Sequence, residues 1–142
     1  VQIFDSWAGV LAAESLRRWS EGPIGRIVAG VRARKPGARV IGFPKGIDRA
    51  VAPFAAATGV NAVGVDWTVP LRAVREELGG RCALQGNLDP MLLVAGGPAL
   101  DAAMDEILDA MTGARFIFNL GHGIVPETPI AHVEHLIRRV RG

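Results

Sequence analysis

Apolar residues along the chain follow two alternating patterns. Short, almost continuously apolar runs indicate buried strands, and the stretches between them carry apolar residues at helical spacing. The five runs are residues 1–4, 39–43, 62–67, 82–87 and 116–120. Because strand and helix alternate without hairpin turns, the pattern predicts an α/β fold with a parallel sheet and right-handed crossovers.

The helices are predicted from a 3.6-residue period of apolar positions. In the first, the apolar positions are Ile24, Ile27, Val28 and Val31, and arginines occupy the opposite side. Glycines at the ends of two further segments, Gly59 and Gly79, suit helix C-caps. The predicted helices are residues 23–34, 48–58, 69–78, 98–111 and 129–140.

The residues that follow each strand favour a barrel over a doubly wound sheet. A nucleotide-binding doubly wound sheet usually has a glycine-rich loop after its first strand, whereas this chain has Asp5-Ser6-Trp7-Ala8-Gly9 there. Polar residues close every apolar run, as at the carboxyl ends of barrel strands. A complete (β/α)₈ barrel needs about 250 residues, so five βα units predict only a portion of one.

Composition narrows the classes of partner. The chain has 142 residues and a formal net charge of +2, which describes one globular unit, and we find no linker within it. Its arginine clusters lie at predicted helix ends, where cations suit the helix dipole. No aromatic residues are interleaved with them, so we expect no nucleic-acid partner. No apolar stretch is long enough to cross a bilayer, so we expect no membrane partner.

Cys82 is the only cysteine in the chain. It has no partner for an internal disulfide and cannot form a cysteine-rich zinc site. Its apolar surroundings favour a buried, unreactive thiol in a reducing compartment. The chain opens directly in a strand-like run, from which we expect that further sequence lies upstream of Val1.

The segment Phe116-Ile117-Phe118-Asn119-Leu120-Gly121-His122-Gly123-Ile124 is the most informative in the chain. It reads as an apolar strand that ends at a histidine between two glycines. A titratable ring at the carboxyl end of a parallel strand is a candidate for a binding or catalytic site. The alternative is a histidine that caps the next helix or fills a loop, and the motif alone leaves both open.

Four motifs together resemble one family. They are Phe4-Asp5-Ser6-Trp7-Ala8-Gly9, Gly64-Val65-Asp66-Trp67-Thr68, Leu84-Gln85-Gly86-Asn87-Leu88-Asp89-Pro90 and Asn119-Leu120-Gly121-His122-Gly123-Ile124. In order and spacing they resemble the motifs of the uroporphyrinogen decarboxylase family, whose members are a single (β/α)₈ domain. The resemblance covers residues 1–142 and implies the C-terminal part of that domain, with strands four to eight.

The resemblance also implies a chemistry. The family converts the acetate side chains of uroporphyrinogen to methyl groups with loss of CO₂ in haem biosynthesis, and it uses no metal and no organic cofactor. Ser6 matches a serine of the family that donates a hydrogen bond to a substrate carboxylate. His122 matches a histidine that contacts the substrate, and Phe4 matches an aromatic residue of the substrate cleft. Members are expected to be cytoplasmic homodimers.

The same resemblance implies that the site is incomplete within these residues. The family's pyrrole-binding aspartate, its carboxylate-binding arginines and a cleft tyrosine match no position here, so we assign no catalytic residue. We expect the 142-residue chain alone to be inactive. Two alternatives remain: a related barrel methyltransferase with zinc and cobalamin, which would need a cysteine soon after His122, and a non-enzymatic fragment that associates with itself.

The remaining polar residues favour structural roles. We expect Asp66 to accept hydrogen bonds from loop amides beside a packed Trp67, and Asn87 and Asp89 to order their loop. Lys45 could face an anionic substrate, although a solvated loop lysine is the stronger interpretation. On the last two helices we expect no metal site and a solvated acidic face; the residues concerned are His132 and His135, then Asp101, Asp105 and Asp109.

Overall fold

Five parallel strands form one sheet in the computed structural model, which describes all 142 residues. The strands lie side by side in the order in which they occur along the chain, and every neighbouring pair is parallel. This confirms the predicted α/β architecture. The strands are β1 (Gln2–Asp5), β2 (Ile41–Pro44), β3 (Ala62–Gly64), β4 (Ala83–Leu88) and β5 (Phe116–Leu120).

The connections between strands are helical. Their bounds are α1 (Ala13–Leu16), α2 (Gly22–Arg34), α3 (Val51–Thr58), α4 (Leu71–Leu78), α5 (Pro90–Ala95), α6 (Gly97–Met111) and α7 (Ile130–Arg141). Gly59 and Gly79 end α3 and α4 in the left-handed conformation, which glycine adopts without steric cost. The Asp89 carboxylate caps α5 by accepting from the Met91 N–H at 2.8 Å.

The sequence pattern missed the first turns of helix. A π-helical turn, Arg17–Glu21, joins α1 to α2, and the Gly22 N–H reaches back to the Arg17 carbonyl. Pro23 follows immediately and has no N–H to donate, so it cannot complete an α-helical ladder at this point. The predicted helix at 23–34 is therefore the second half of a longer helical segment that begins at Ala13.

All the helices pack on one face of the sheet. Twenty-five buried residues form a single apolar cluster. It includes Val63 and Leu84 from the strands, together with Phe54, Leu100 and Met104 from the helices. The opposite face, which we call the concave face, carries no helix. Its members are Gln2, Phe4, Phe43, Gln85, Ile117 and Asn119.

Two contacts across the concave face show that the sheet is curved. Neighbouring strands lie about 4.8 Å apart, so β1 and β4 would be about 14 Å apart in a flat sheet. Nevertheless the Gln85 side-chain amide donates to the Gln2 Oε1 at 3.3 Å. The Phe43 ring of β2 likewise lies 6.3 Å from the ring of His122, which follows β5. A sheet that bends its side chains together in this way is a segment of a barrel wall.

Cys82 directly precedes β4, belongs to the buried apolar cluster and is 8% exposed. Burial raises the pKa of its thiol, an effect that the charge of Arg115 partly offsets. The predicted buried cysteine is confirmed.

The acidic face of α6 contacts α7, which corrects the expectation of a purely solvated face. Asp105 accepts three hydrogen bonds from Arg139: its Oδ1 accepts from Nε at 2.9 Å and from Nη2 at 2.5 Å, and its Oδ2 accepts from Nη2 at 2.7 Å. Asp101 Oδ1 lies 2.5 Å from His135 Nε2. The pairing with Asp105 also raises the pKa of Arg139. These exposed pairs dock the last helix.

No helix in the structure combines the length and the hydropathy needed to cross a membrane.

Candidate functional site at the carboxyl edge of the sheet

Three rings meet on the concave face at its carboxyl edge. Phe4 and Phe43 are register partners on β1 and β2, and their ring centroids lie 5.9 Å apart in an edge-to-face arrangement. Phe43 makes a second edge-to-face contact with His122. Phe43 is 6% exposed, whereas Phe4 is 66% exposed. Phe43 therefore anchors an aromatic cluster whose outer members, Phe4 and His122, remain open to a ligand.

The loop that carries Ser6 is hydrogen-bonded to the end of β2. The Lys45 N–H donates to the Asp5 carbonyl at 3.0 Å, and the Gly9 N–H donates to the Lys45 carbonyl at 2.9 Å. The turn itself is held by Asp5, whose carboxylate accepts from the Trp7 N–H at 3.3 Å. Ser6 is exposed, and its hydroxyl takes no part in these bonds.

Asp66 ties the strand ends together. It is 3% exposed, and its Oδ2 accepts from the Gly46 N–H at 2.7 Å. Its Oδ1 accepts from the Thr68 N–H at 2.9 Å and from the Thr68 hydroxyl at 2.5 Å. A buried carboxylate is tolerated only when it is hydrogen-bonded in this way. The predicted structural role of Asp66 is confirmed.

Asn87 extends this network to β4. Its side-chain amide donates to the carbonyls of Asp66 at 3.0 Å and Val69 at 2.8 Å, which confirms a loop-ordering role. Trp67 departs from expectation: its indole is 40% exposed instead of packed in the core. The Lys45 ammonium lies 5.5 Å from the centre of that indole ring.

The two glycines beside His122 are not equivalent. The Gly121 N–H donates to the Leu88 carbonyl at 2.7 Å. A Cβ on Gly121 would lie 2.5 Å from the Trp67 backbone nitrogen and 3.0 Å from the Asp66 carbonyl carbon, whereas one on Gly123 would meet nothing within 4 Å. Gly121 thus allows the β5 turn to pack against the Asp66 loop and sets the position of His122.

The other two histidines lie away from this edge. His132 Nδ1 is 2.9 Å from the Leu93 carbonyl, and His135 pairs with Asp101. The structure contains no group of three or more His, Cys, Asp or Glu side chains placed to hold a metal ion.

Residues 1–142 match the sequence model of the family described as "Uroporphyrinogen decarboxylase (URO-D)". The chain belongs to this family. It is 54% identical over 141 residues to a protein named uroporphyrinogen decarboxylase from Chelativorans sp., and 53% identical over 142 residues to one from Sphingopyxis alaskensis. These alignments cover 99% and 100% of the chain but only 41% and 42% of the relatives. The chain thus spans about two fifths of their length.

A solved structure described as a methyltransferase from Methanosarcina mazei has the same fold. It matches 96% of the chain with a TM-score of 0.80, and the match covers 40% of that protein. The two sequences are 22% identical, so this likeness concerns the fold alone. The family match and this fold together confirm that the five βα units are a portion of a larger α/β domain.

The three residues that the resemblance to uroporphyrinogen decarboxylases assigned to substrate, Phe4, Ser6 and His122, lie at one edge of the sheet. Phe4 and His122 both contact the Phe43 ring. Ser6 lies in a loop whose backbone is hydrogen-bonded to Lys45, and Lys45 lies two residues after Phe43. The sequence motifs had not identified Phe43 itself. Its signal was its register opposite Phe4, which requires knowledge of the strand pairing.

We predict that Gly121→Ala is destructive and Gly123→Ala is tolerated. The added methyl at position 121 meets backbone atoms of two residues, which cannot move aside as a flexible side chain can. We expect a loss of about 1–3 kcal/mol in the free energy of unfolding for Gly121→Ala, typical of overpacking. Gly123→Ala is the matched control and should change it by less than about 0.5 kcal/mol. Urea denaturation of both variants tests this, and equal losses would contradict the close packing of the two loops.

Proposed function

We propose that this chain supplies the C-terminal part of the substrate site of a uroporphyrinogen decarboxylase. The reaction replaces the carboxylate of each acetate side chain by hydrogen, so that CO₂ leaves and one proton is taken up per methyl group formed. Protonation of a pyrrole carbon turns the ring into an acceptor for the electron pair of the breaking C–C bond. The substrate thus performs the role that a cofactor has elsewhere, and the proposal includes neither a metal nor an organic cofactor.

The observation that carries the proposal is the aromatic cluster of Phe4, Phe43 and His122. Flat rings on a curved sheet suit a bulky tetrapyrrole, since aromatic groups prefer offset or edge-to-face contact. In this proposal Phe4 packs against the macrocycle. His122 and Ser6 hydrogen-bond to substrate carboxylates at the edge of the sheet.

The environment of Ser6 supports its assignment to substrate. The turn after β1 is closed by the Asp5 carboxylate and not by the Ser6 hydroxyl. An exposed hydroxyl without a structural partner is available to donate to an anion. The same reasoning applies to His122, whose ring contacts Phe43 from one side only and is otherwise exposed.

The methyltransferase alternative has no comparable support. A match at 22% identity concerns the fold, and the relatives named decarboxylase are 53–54% identical. Thiolate ligation near His122 would require a cysteine there, and the only cysteine is Cys82, which is buried. The histidine is followed instead by Gly123, Ile124 and Val125.

The proposal extends to the setting of the enzyme. We place it in the cytoplasm, acting on a tetrapyrrole, with neither nucleic acid nor membrane as a partner. We propose a homodimer, supported by exposed apolar side chains near the carboxyl edge, among them Trp7, Val10 and Ile124.

Activity should appear only when the barrel wall is completed. β1 and β5 are the edge strands of the sheet, and the concave face exposes Phe4 and Ile117. We expect the 142-residue chain alone to show no turnover of uroporphyrinogen. Joined to the N-terminal part of the Chelativorans relative, it should produce coproporphyrinogen, measured by chromatography of the oxidised porphyrins. Turnover by the chain alone would contradict the assignment of essential groups outside it, and an inactive but folded chimera would contradict the proposed reaction.

In that completed enzyme, His122→Asn should weaken catalysis without abolishing it. A hydrogen bond to a charged group contributes about 1.5–3 kcal/mol, which corresponds to roughly a 10- to 100-fold fall in kcat/KM. His135→Asn is the matched control, because it makes the same change at a half-exposed histidine on α7. A wild-type kcat/KM for His122→Asn would contradict the proposed contact with substrate and leave His122 with only a structural role in its loop.

For Ser6→Ala we expect weaker substrate binding with unchanged stability. The hydroxyl makes no bond that holds its own turn, so its removal should raise KM more than it lowers kcat. Asp5→Ala is the contrasting variant, because it removes the carboxylate that closes the turn and should lower the melting temperature. Thermal denaturation and steady-state kinetics on both variants separate the two roles. A lower melting temperature with unchanged KM in Ser6→Ala would assign the serine to the turn.

A further inference from the structure

Lys45 lies at the carboxyl edge of the sheet, at the end of the second of the five strands. It follows β2 directly and lies two residues after Phe43, so strand alternation places both side chains on the concave side. Its N–H and carbonyl bond to Asp5 and Gly9 on either side of Ser6. Its ammonium lies 5.5 Å from the centre of the ring of Trp67, which is in the loop after β3. The backbone of Trp67 is in turn the closest neighbour of Gly121, next to His122.

The ammonium is held in place without being neutralised. The chain has three ion pairs, and none includes Lys45. The two carboxylates near it are both turned to other donors: Asp5 accepts from the Trp7 N–H, and Asp66 accepts from Gly46 and Thr68. An aromatic face attracts a cation through its quadrupole and leaves the positive charge in place.

We propose that Lys45 is a further substrate-binding residue, whose ammonium binds a carboxylate of the polyanionic substrate while the Trp67 indole positions it. The inference rests on the proposed function, because it assigns a second cationic contact to the same site. Within this chain Ser6 and His122 supply neutral or titratable donors. Lys45 adds the permanent cation that an anion with several carboxylates requires at this edge.

The alternative is a solvated loop lysine, and the surroundings of Lys45 argue against it. A freely solvated lysine is exposed along its length, whereas Lys45 is half-buried and its ammonium is fixed against an indole. Trp67 keeps 40% of its surface exposed, so the indole that attracts the ammonium also has surface available to a ligand. Both features are explained when the pair forms one wall of a binding site.

The chain offers a matched control because it contains only two lysines, Lys35 and Lys45. Lys35 follows α2 and is exposed, so it lies at the amino edge of the sheet. The test compares three variants in the barrel completed with the N-terminal part of the Chelativorans relative: Lys45→Met, Lys45→Arg and Lys35→Met. The readouts are kcat and KM for uroporphyrinogen and the fluorescence titration of uroporphyrin, its stable oxidised form, at low and high salt.

We expect Lys45→Met to raise KM and the Kd for uroporphyrin about tenfold at low salt, with a smaller change in kcat. The salt dependence of binding should weaken, because one fewer cation contributes to the attraction. Lys45→Arg should restore most of the affinity, and Lys35→Met should match the wild type. Trp67→Leu should raise KM less than Lys45→Met, since it frees the ammonium without removing it.

The outcomes separate this inference from the proposed reaction. Turnover with equal KM and Kd in Lys45→Met and Lys35→Met would overturn the role of Lys45 and leave the decarboxylase in place. No turnover, but uroporphyrin binding that weakens only in Lys45→Met, would support Lys45 as an anion-binding residue and overturn the proposed reaction. Neither turnover nor binding in a folded protein would overturn both.

Discussion

The geometry of the carboxyl edge depends on one buried carboxylate. Asp66 is closed off from solvent and receives hydrogen bonds from the loop after β2 and from its own turn. Its backbone carbonyl accepts from Asn87 of β4, and its backbone packs against Gly121. Removing a carboxylate from water is costly, and the N–H groups of Gly46 and Thr68 and the Thr68 hydroxyl offset that cost. The loops after β2, β3, β4 and β5 are therefore fixed together.

This constraint explains why the aromatic cluster is preorganised. Phe43 lies between Phe4 and His122 only if β2 and the β5 turn are held at a set distance across the curved sheet. Helices on the convex side supply the apolar cohesion that keeps the strands paired. The Asp66 network then fixes the ends of those strands, so that in the proposed site a ligand would meet rings and donors already in position.

The sequence was sufficient for the strand order and for the longer helices, but not for the short helices or for the contacts between elements. Strand–helix alternation predicted the parallel order, and β5 was bounded correctly at Phe116–Leu120. The helical turns before Pro23 were missed because a π-turn breaks the 3.6-residue period. The α6–α7 pairs were missed because the period of Asp101 and Asp105 reports one helix face and not its neighbour. A packed indole was expected for Trp67, because the sequence cannot show that its ring lies partly exposed beside the Lys45 ammonium.

The distribution of charge at this edge follows from where the carboxylates are directed. Asp5, Asp66 and Asp89 all lie at strand ends, a position that would repel an anionic ligand if their charges faced it. Asp5 and Asp89 are instead directed at backbone N–H groups of their own loops, and Asp66 is directed at the N–H groups of Gly46 and Thr68. No ion pair or side-chain hydrogen bond within the chain involves the Ser6 hydroxyl, the His122 ring or the Lys45 ammonium, and none of the three is anionic. In the proposed site, the same hydrogen bonds that order the loops would therefore make the edge attractive to a polycarboxylate, which would link the stability of this part of the fold to its choice of ligand.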